Sequence, residues 1–153
     1  MKILIIEDSD YKIQSLISFL NSMQLAEEVE VARSYQTAKK LLKEFSPELV
    51  LLDMTLPTSE KPDGQLEGRN RIFGGRDILA EIEFLDVECH VIIVTQFDSF
   101  GEPPNTINAK DLFQQLSSKY KRYFIGGVYY SNVDSSWQGQ LKLLLKTIKK
   151  KKS

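Results

Sequence analysis

The distribution of apolar residues along the chain follows two periodicities. Residues 3–6, 49–52 and 91–94 are continuously apolar, a pattern typical of strands that are buried on both faces. Residues 28–31 alternate between polar and apolar, as in a strand with one solvent-exposed face. A fifth strand is predicted over residues 123–130. The remaining apolar residues recur at intervals of three and four, which predicts helices whose buried faces span 13–20, 38–45, 78–85, 109–116 and 137–148.

Strands and helices alternate five times in this pattern, which predicts an α/β fold. Five consecutive βα units favour a single parallel sheet covered by helices on both faces. The alternating second strand suits an edge of the sheet and the apolar strands suit its centre, so we expect the doubly wound, flavodoxin-like order 2-1-3-4-5. Residues 55–75 and 96–108 are rich in glycine and proline, and we expect them to form two extended loops.

The composition narrows the functional classes. A length of 153 residues fits a single domain over 1–153, with a lysine-rich end at 149–153. The net charge of −1 gives no reason to expect a nucleic-acid partner, and no apolar run approaches the length needed to cross a membrane. The single cysteine, Cys89, rules out an internal disulfide and suits a reducing cytoplasm.

Polar side chains follow three of the apolar strands at the points where these strands end. Glu7 and Asp8 follow the first strand, Asp53 follows the third, and Thr95 ends the fourth. Strand ends of the same polarity lie along one edge of a parallel sheet, so these side chains are expected to converge. Three carboxylates repel one another unless a hard cation lies between them, and Mg²⁺ suits such oxygen ligands. A carboxylate beside Mg²⁺ and a hydroxyl group is a candidate phosphoryl acceptor.

The same positions resemble those of the response-regulator receiver domains of two-component signalling. Residues 53–57, DMTLP, are similar to the family pattern D-x-x-[M/L]-P, in which the aspartate accepts a phosphoryl group. The resemblance implies that Glu7, Asp8 and Asp53 hold Mg²⁺. It also implies that the backbone carbonyl of Met54 is a ligand of the metal.

Two positions depart from the pattern, although Thr95 matches the hydroxyl residue that binds the phosphoryl group. A receiver normally ends its fifth strand with a lysine, but no lysine lies between Lys121 and Lys142. The matching position is Ser131 if the strand ends where predicted. Gln96 stands where the family usually has a small residue, which would narrow access to the acceptor.

A cation from the segment 55–75 is one candidate replacement for the missing lysine. This segment leaves the predicted sheet at the same edge as Asp53, and Lys61 and Arg69 are its candidates. A basic loop is more often simply solvated, and that alternative remains open.

Three functions are compatible with the sequence. The leading hypothesis is a stand-alone receiver, a signalling module and not an enzyme. It would accept a phosphoryl group on Asp53 from a histidine kinase or phosphotransfer protein and signal by contact with a downstream protein. The alternative is a pseudo-receiver that binds its partner without phosphorylation. A weaker third hypothesis is a phosphohydrolase similar to the haloacid dehalogenase superfamily, whose lysine and late acidic pair are not evident here.

Overall fold

The computed structural model describes residues 1–152, with the side chains of residues 1–148. The lysine-rich end predicted at 149–153 lies outside the described side chains, although the backbone of the last helix extends to Lys152. The described strands are β1 (Lys2–Ile6), β2 (Glu28–Ala32), β3 (Leu49–Leu52), β4 (Leu56–Glu60), β5 (Leu66–Arg71), β6 (His90–Thr95), β7 (Ser99–Glu102), β8 (Asn105–Asn108) and β9 (Phe124–Tyr129). The described helices are α1 (Asp10–Ser22), α2 (Tyr35–Glu44), α3 (Gly74–Leu85), α4 (Ala109–Lys119) and α5 (Ser136–Lys152).

Five parallel strands form the central sheet in the order β2-β1-β3-β6-β9. These are the five strands predicted from the sequence, so the order 2-1-3-4-5 and the flavodoxin-like fold are confirmed. β1, β3 and β6 occupy the centre of the sheet, and their side chains are almost all buried, because helices cover both faces. β2 lies at an edge, where its alternating pattern leaves every second side chain exposed.

The two segments predicted as extended loops are instead antiparallel hairpins. β4 pairs with β5 between β3 and α3, and β7 pairs with β8 between β6 and α4. β5 and β8 are mostly polar and mostly exposed, so the pattern of apolar residues carries no strand signal there. The hairpins are tied to the core at Leu56 and Phe100, which are both buried.

The core consists of one apolar layer on each face of the sheet. Helices α2, α3 and α4 pack on one face, and α1 and α5 pack on the other. The second layer includes Trp137, whose ring contacts those of Phe19 and Tyr130. Among the described residues, no helix has both the length and the apolar character needed to cross a bilayer.

Side-chain caps fix where three helices begin. The hydroxyl of Ser34 accepts the Thr37 amide at the start of α2, and Asn108 accepts the Asp111 amide at the start of α4. Ser9 caps α1 in the same way, which fixes the direction in which that helix leaves the end of β1.

Candidate functional site

The acidic residues predicted to converge do so at the carboxyl edge of the sheet. β1 and β3 are hydrogen-bonded neighbours whose last residues, Ile6 and Leu52, are paired in register. The acidic residues follow directly, and the Asp53 amide donates to the Ile6 carbonyl at 3.0 Å. One carboxylate oxygen from each of Glu7, Asp8 and Asp53 lies within 4.8 Å of the others. Three hard oxygen donors at this spacing fit the requirements of Mg²⁺.

Burial makes this cluster of carboxylates costly to ionise. Glu7 is 3% exposed and Asp53 is 7% exposed. Desolvation is the main cause that raises the pKa of Glu7 to about 9, with a further increase from the charge of Asp53. The attraction of a nearby lysine opposes this increase but does not outweigh it. Burial and the charge of Asp53 also raise the pKa of Asp8. A divalent cation in the pocket would relieve the same repulsion.

A buried lysine that the sequence analysis did not identify lies within the cluster. The ammonium nitrogen of Lys12 is 3.4 Å from Glu7 Oε1 and 3.6 Å from Asp53 Oδ1. It also donates to the backbone carbonyl of Val94 at 2.6 Å. One signal for it was present in the sequence: Lys12 precedes Leu16 and Leu20 at intervals of four, which places it on the buried face of α1. The pocket therefore already contains a fixed positive charge.

Two further hydrogen bonds hold Asp53 and Met54 in place. The Met54 amide donates to Asp53 Oδ1 at 2.8 Å, which fixes the orientation of the carboxylate. The Met54 carbonyl accepts the Gly75 amide at 2.7 Å, from the first turn of α3. The predicted role of Met54 as a metal ligand would therefore have to use the second lone pair of that carbonyl.

Thr95 lies at the end of β6 and is fully buried. Its hydroxyl oxygen accepts the Phe97 amide at 3.2 Å, a hydrogen bond with the local backbone. Because a hydroxyl group can donate as well as accept, this bond leaves its hydrogen available for a ligand. The next residue, Gln96, is exposed.

The end of β9 brings an aromatic ring to the site. The ring of Tyr130 lies 5.6 Å from the Lys12 ammonium, and its hydroxyl donates to Ser15 on α1 at 3.1 Å. Ser131, predicted to occupy the position of the missing lysine, accepts the Val133 amide through its own hydroxyl. Its correspondence to the lysine of other receivers remains a prediction.

The two candidate cations between Asp53 and α3 lie on the first hairpin. Lys61 follows β4 at the turn, Arg69 is part of β5, and both are exposed. Among the residues with described side chains, neither forms an ion pair with Glu7 or Asp53, whereas Lys12 pairs with both. Both side chains are exposed to solvent, and their role as substitute cations remains a prediction.

Comparison with known proteins gives relatives over nearly the full length. No model of a known protein family matches the chain. The uncharacterized protein y4jR of Sinorhizobium fredii is 31% identical over 144 residues, which cover 93% of this chain and 95% of that protein. The Detocs response regulatory protein DtcB of Enterobacter cloacae is 27% identical over 144 residues, which cover 92% and 95%.

Solved structures share the fold. The signal receiver domain of an HD domain-containing protein from Pseudomonas fluorescens superposes with a TM-score of 0.60 at 20% identity, and the match covers 95% of this chain and 91% of that domain. This likeness agrees with the order of the strands in the sheet. Together with the kinship to a response regulatory protein, it shows that the chain belongs to the response-regulator receiver domains of two-component signalling.

Proposed function

We propose that this receiver accepts a phosphoryl group on Asp53 with the help of Mg²⁺ and signals through contact with another protein. The observation that carries the proposal is the convergence of Glu7, Asp8 and Asp53 at the ends of two adjacent central strands. Glu7 and Asp53 are buried and Asp8 is half-buried, so bringing the three carboxylates together opposes folding unless a cation compensates their lost hydration and mutual repulsion. Because the chain belongs to the receiver family, we do not propose the phosphohydrolase function.

Phosphoryl transfer to Asp53 would proceed in one balanced step. A lone pair of the Asp53 carboxylate forms a bond to phosphorus, while the bond from phosphorus to the leaving group breaks and its electron pair stays with that group. With acetyl phosphate as donor, the products are an aspartyl phosphate and acetate, and no proton has to move. Mg²⁺ held by the three carboxylates would supply positive charge to the phosphoryl oxygens. Thr95 would donate its hydroxyl hydrogen to one of them.

The donor in the cell would be a histidine kinase or a phosphotransfer protein, and we place the exchange in the cytoplasm. The receiving surface for the downstream protein would lie around α4, β9 and α5. There, Tyr129 is 42% exposed, and its ring is 6.1 Å from that of Phe113 on α4. Thr95 and Tyr129 are neighbours across β6 and β9. A change at the Thr95 hydroxyl would therefore reach this surface through a single strand pair.

The test is the intact mass of the protein after incubation with Mg²⁺ and acetyl phosphate. Wild type is expected to gain one phosphoryl group, and Asp53→Asn is expected to gain none. Asp63→Asn is the matched control, because it changes an exposed aspartate of the first hairpin by the same single atom. An adduct that persists in Asp53→Asn would contradict the assignment of the acceptor.

A second candidate function is supported by Lys12. Its ammonium already pairs with Glu7 and Asp53, so the pocket has a counter-ion without any metal. A pseudo-receiver of this kind would bind its partner in the unphosphorylated state. Calorimetric titration with Mg²⁺, combined with the acetyl phosphate test, separates the two candidates. A protein that binds Mg²⁺ and gains a phosphoryl group on Asp53 is a receiver, whereas a folded protein that binds Mg²⁺ and gains none supports the pseudo-receiver.

A further inference from the structure

The positive charge of the acidic pocket comes from α1, whereas the receiver resemblance implies a lysine at the end of the fifth strand of the sheet. That strand is β9, and no lysine lies between Lys121 and Lys142. Tyr130, the first residue after β9, places its ring 5.6 Å from the Lys12 ammonium. The charge beside Asp53 is instead that of Lys12, in the first turn of the helix that follows β1.

The contacts of Lys12 are those of a specific site. The residue is 2% exposed, and lysine is almost never buried to this extent unless it is paired. Its ammonium group has three hydrogens, and it has three described partners: the Val94 carbonyl, Glu7 and Asp53. The shortest of these contacts, 2.6 Å, is to the neutral carbonyl. The position of the ammonium is therefore fixed by backbone as well as by charge.

The surroundings of Lys12 hold its side chain toward the sheet edge. The Val94 carbonyl belongs to β6, one residue before Thr95, so the ammonium lies beside the strand that carries the hydroxyl of the site. The Tyr130 ring lies on another side and is fixed to α1 by its hydrogen bond to Ser15. Tyr130 also packs on Trp137 of α5. Tyr130, at the end of β9 where no lysine is present, thus packs beside the Lys12 side chain.

We infer that Lys12 is the residue that neutralises the phosphoryl group on Asp53, an inference that rests on the proposed function. When the carboxylate becomes an aspartyl phosphate, the pocket gains a dianionic group beside an ammonium that is 3.6 Å from Asp53 Oδ1 in the unmodified protein. Lysine has a compact charge on a flexible stem, so Lys12 can turn from Glu7 to a phosphoryl oxygen without movement of α1. The positive charge that binds the phosphoryl group then comes from α1 and not from the end of β9.

The opposite role for Lys12 makes a different prediction. If its ammonium only replaces the metal, it competes with Mg²⁺ for Glu7 and Asp53. Removing the charge would then tighten Mg²⁺ binding and raise the rate of phosphorylation. If Lys12 binds the phosphoryl group, removing the charge lowers the rate, while Mg²⁺ binding stays the same or tightens. A general collapse of the pocket would weaken both.

The experiment compares wild type, Lys12→Met and Lys40→Met. Methionine keeps the length and apolar stem of lysine, and Lys40 is an exposed lysine on α2 that controls for the loss of one charge. The rate of adduct formation from acetyl phosphate at saturating Mg²⁺ and the affinity for Mg²⁺ are measured for each. We expect the rate of Lys12→Met to fall about 100-fold or more, the loss typical for removal of one preorganised donor, with Mg²⁺ affinity not weakened. An unchanged or faster rate would overturn the assignment.

A second pair of variants covers the case in which Lys12→Met does not fold. Glu7→Gln/Lys12→Met removes both charges of a buried pair and leaves no uncompensated ion from it. Its rate is compared with that of Glu7→Gln alone at saturating Mg²⁺, and we expect a further decrease of at least about tenfold. Equal rates would overturn the role of Lys12 while the proposed function stands. Wild type that gains no phosphoryl group and does not bind beryllofluoride, a mimic of that group, would overturn both.

Discussion

The pocket at the sheet edge and the first hairpin both contain cations, but these cations differ in burial and in their partners. Lys12 is held by α1 against β6 and contacts two carboxylates, whereas Lys61 and Arg69 are exposed on a hairpin. A buried charge needs fixed partners, and a packed helix can hold them in place. The exposed hairpin keeps its charges hydrated. Lys12 is the farthest of the three cations from Asp53 in the sequence, so proximity in sequence is a poor guide to which cation lies beside a buried acidic site.

The largest expected difference between the two regions is in packing. Leu52 is fully buried directly before Asp53, and Leu52→Ala is expected to lower the free energy of unfolding by about 2–5 kcal/mol through lost burial and a cavity. Leu66 on the hairpin is 46% exposed, and Leu66→Ala is expected to change the free energy of unfolding by about 0.5 kcal/mol or less. Urea unfolding of both variants measures this. Equal losses would contradict the division into a buried edge and a solvated hairpin.

A methyl group added beside Asp53 is expected to have a smaller effect. A Cβ at Gly75 would lie 2.9 Å from the Asp53 carbonyl oxygen and 3.0 Å from Met54 Cα, so the backbone next to the acceptor would have to shift. Gly75→Ala should lower the free energy of unfolding by about 1–3 kcal/mol and weaken Mg²⁺ binding.

Gly139 provides the matched control for this change. It lies in α5 with open space around its Cα, so Gly139→Ala should raise the free energy of unfolding by about 0.5–1 kcal/mol, because alanine favours a helix. Thermal unfolding of both variants gives the sign of each change. A stabilised Gly75→Ala protein with normal Mg²⁺ affinity would be inconsistent with the close backbone approach at Asp53.

The pH dependence of Mg²⁺ binding probes the buried edge through Glu7. Burial raises the pKa of Glu7 from 4.5 to about 9, so between these values the metal-free folded protein binds more protons than the unfolded chain. The contribution of Glu7 to the free energy of unfolding should therefore decrease as the pH rises through this window. Mg²⁺ needs the carboxylate form, so its apparent affinity should increase by up to about tenfold from pH 7 to pH 8.

Calorimetric titrations with Mg²⁺ at the two pH values, in buffers of different ionisation enthalpy, measure the affinity and the protons released. Glu7→Gln is the control, since it removes the titrating group and should flatten the dependence. An affinity that is independent of pH in wild type would show that Glu7 is already ionised at neutral pH.

The smallest expected effect is at the hairpin cations. Lys61→Ala and Arg69→Ala should each leave the phosphorylation rate of Asp53 within about twofold of wild type, since exposed charges act on a buried site through water and salt. The measurement is the rate of adduct formation from acetyl phosphate. A decrease in the rate of either variant comparable to that of Lys12→Met would indicate that a hairpin cation replaces the missing lysine.

The sequence predicted the sheet and the acidic cluster because both follow from short-range patterns. Apolar runs of four residues identify the central strands, and parallel topology brings the residues after them together. Glu7, Asp8 and Asp53 could therefore be placed at one edge before their distances were known. The hairpins could not be predicted, because β5 is stabilised by backbone pairing and is largely polar and exposed.

Lys12 was missed for a different reason. Its spacing from Leu16 placed it on the buried face of α1. A lysine at such a position looks like an interruption of the apolar face as long as its partners are unknown. Those partners come from two other strands, through Asp53 after β3 and Val94 in β6. Only the three-dimensional arrangement brings these groups to one ammonium nitrogen.

The most direct test of the account is to identify the phosphorylated residue. Borohydride reduction of the protein after treatment with acetyl phosphate and Mg²⁺ converts an aspartyl phosphate to homoserine, and peptide mass spectrometry then locates the modified residue. We predict homoserine at position 53 and no modification at Asp8 or Asp63. An unmodified Asp53 in a protein that has gained a phosphoryl group, or a modification confined to another aspartate, would contradict the account.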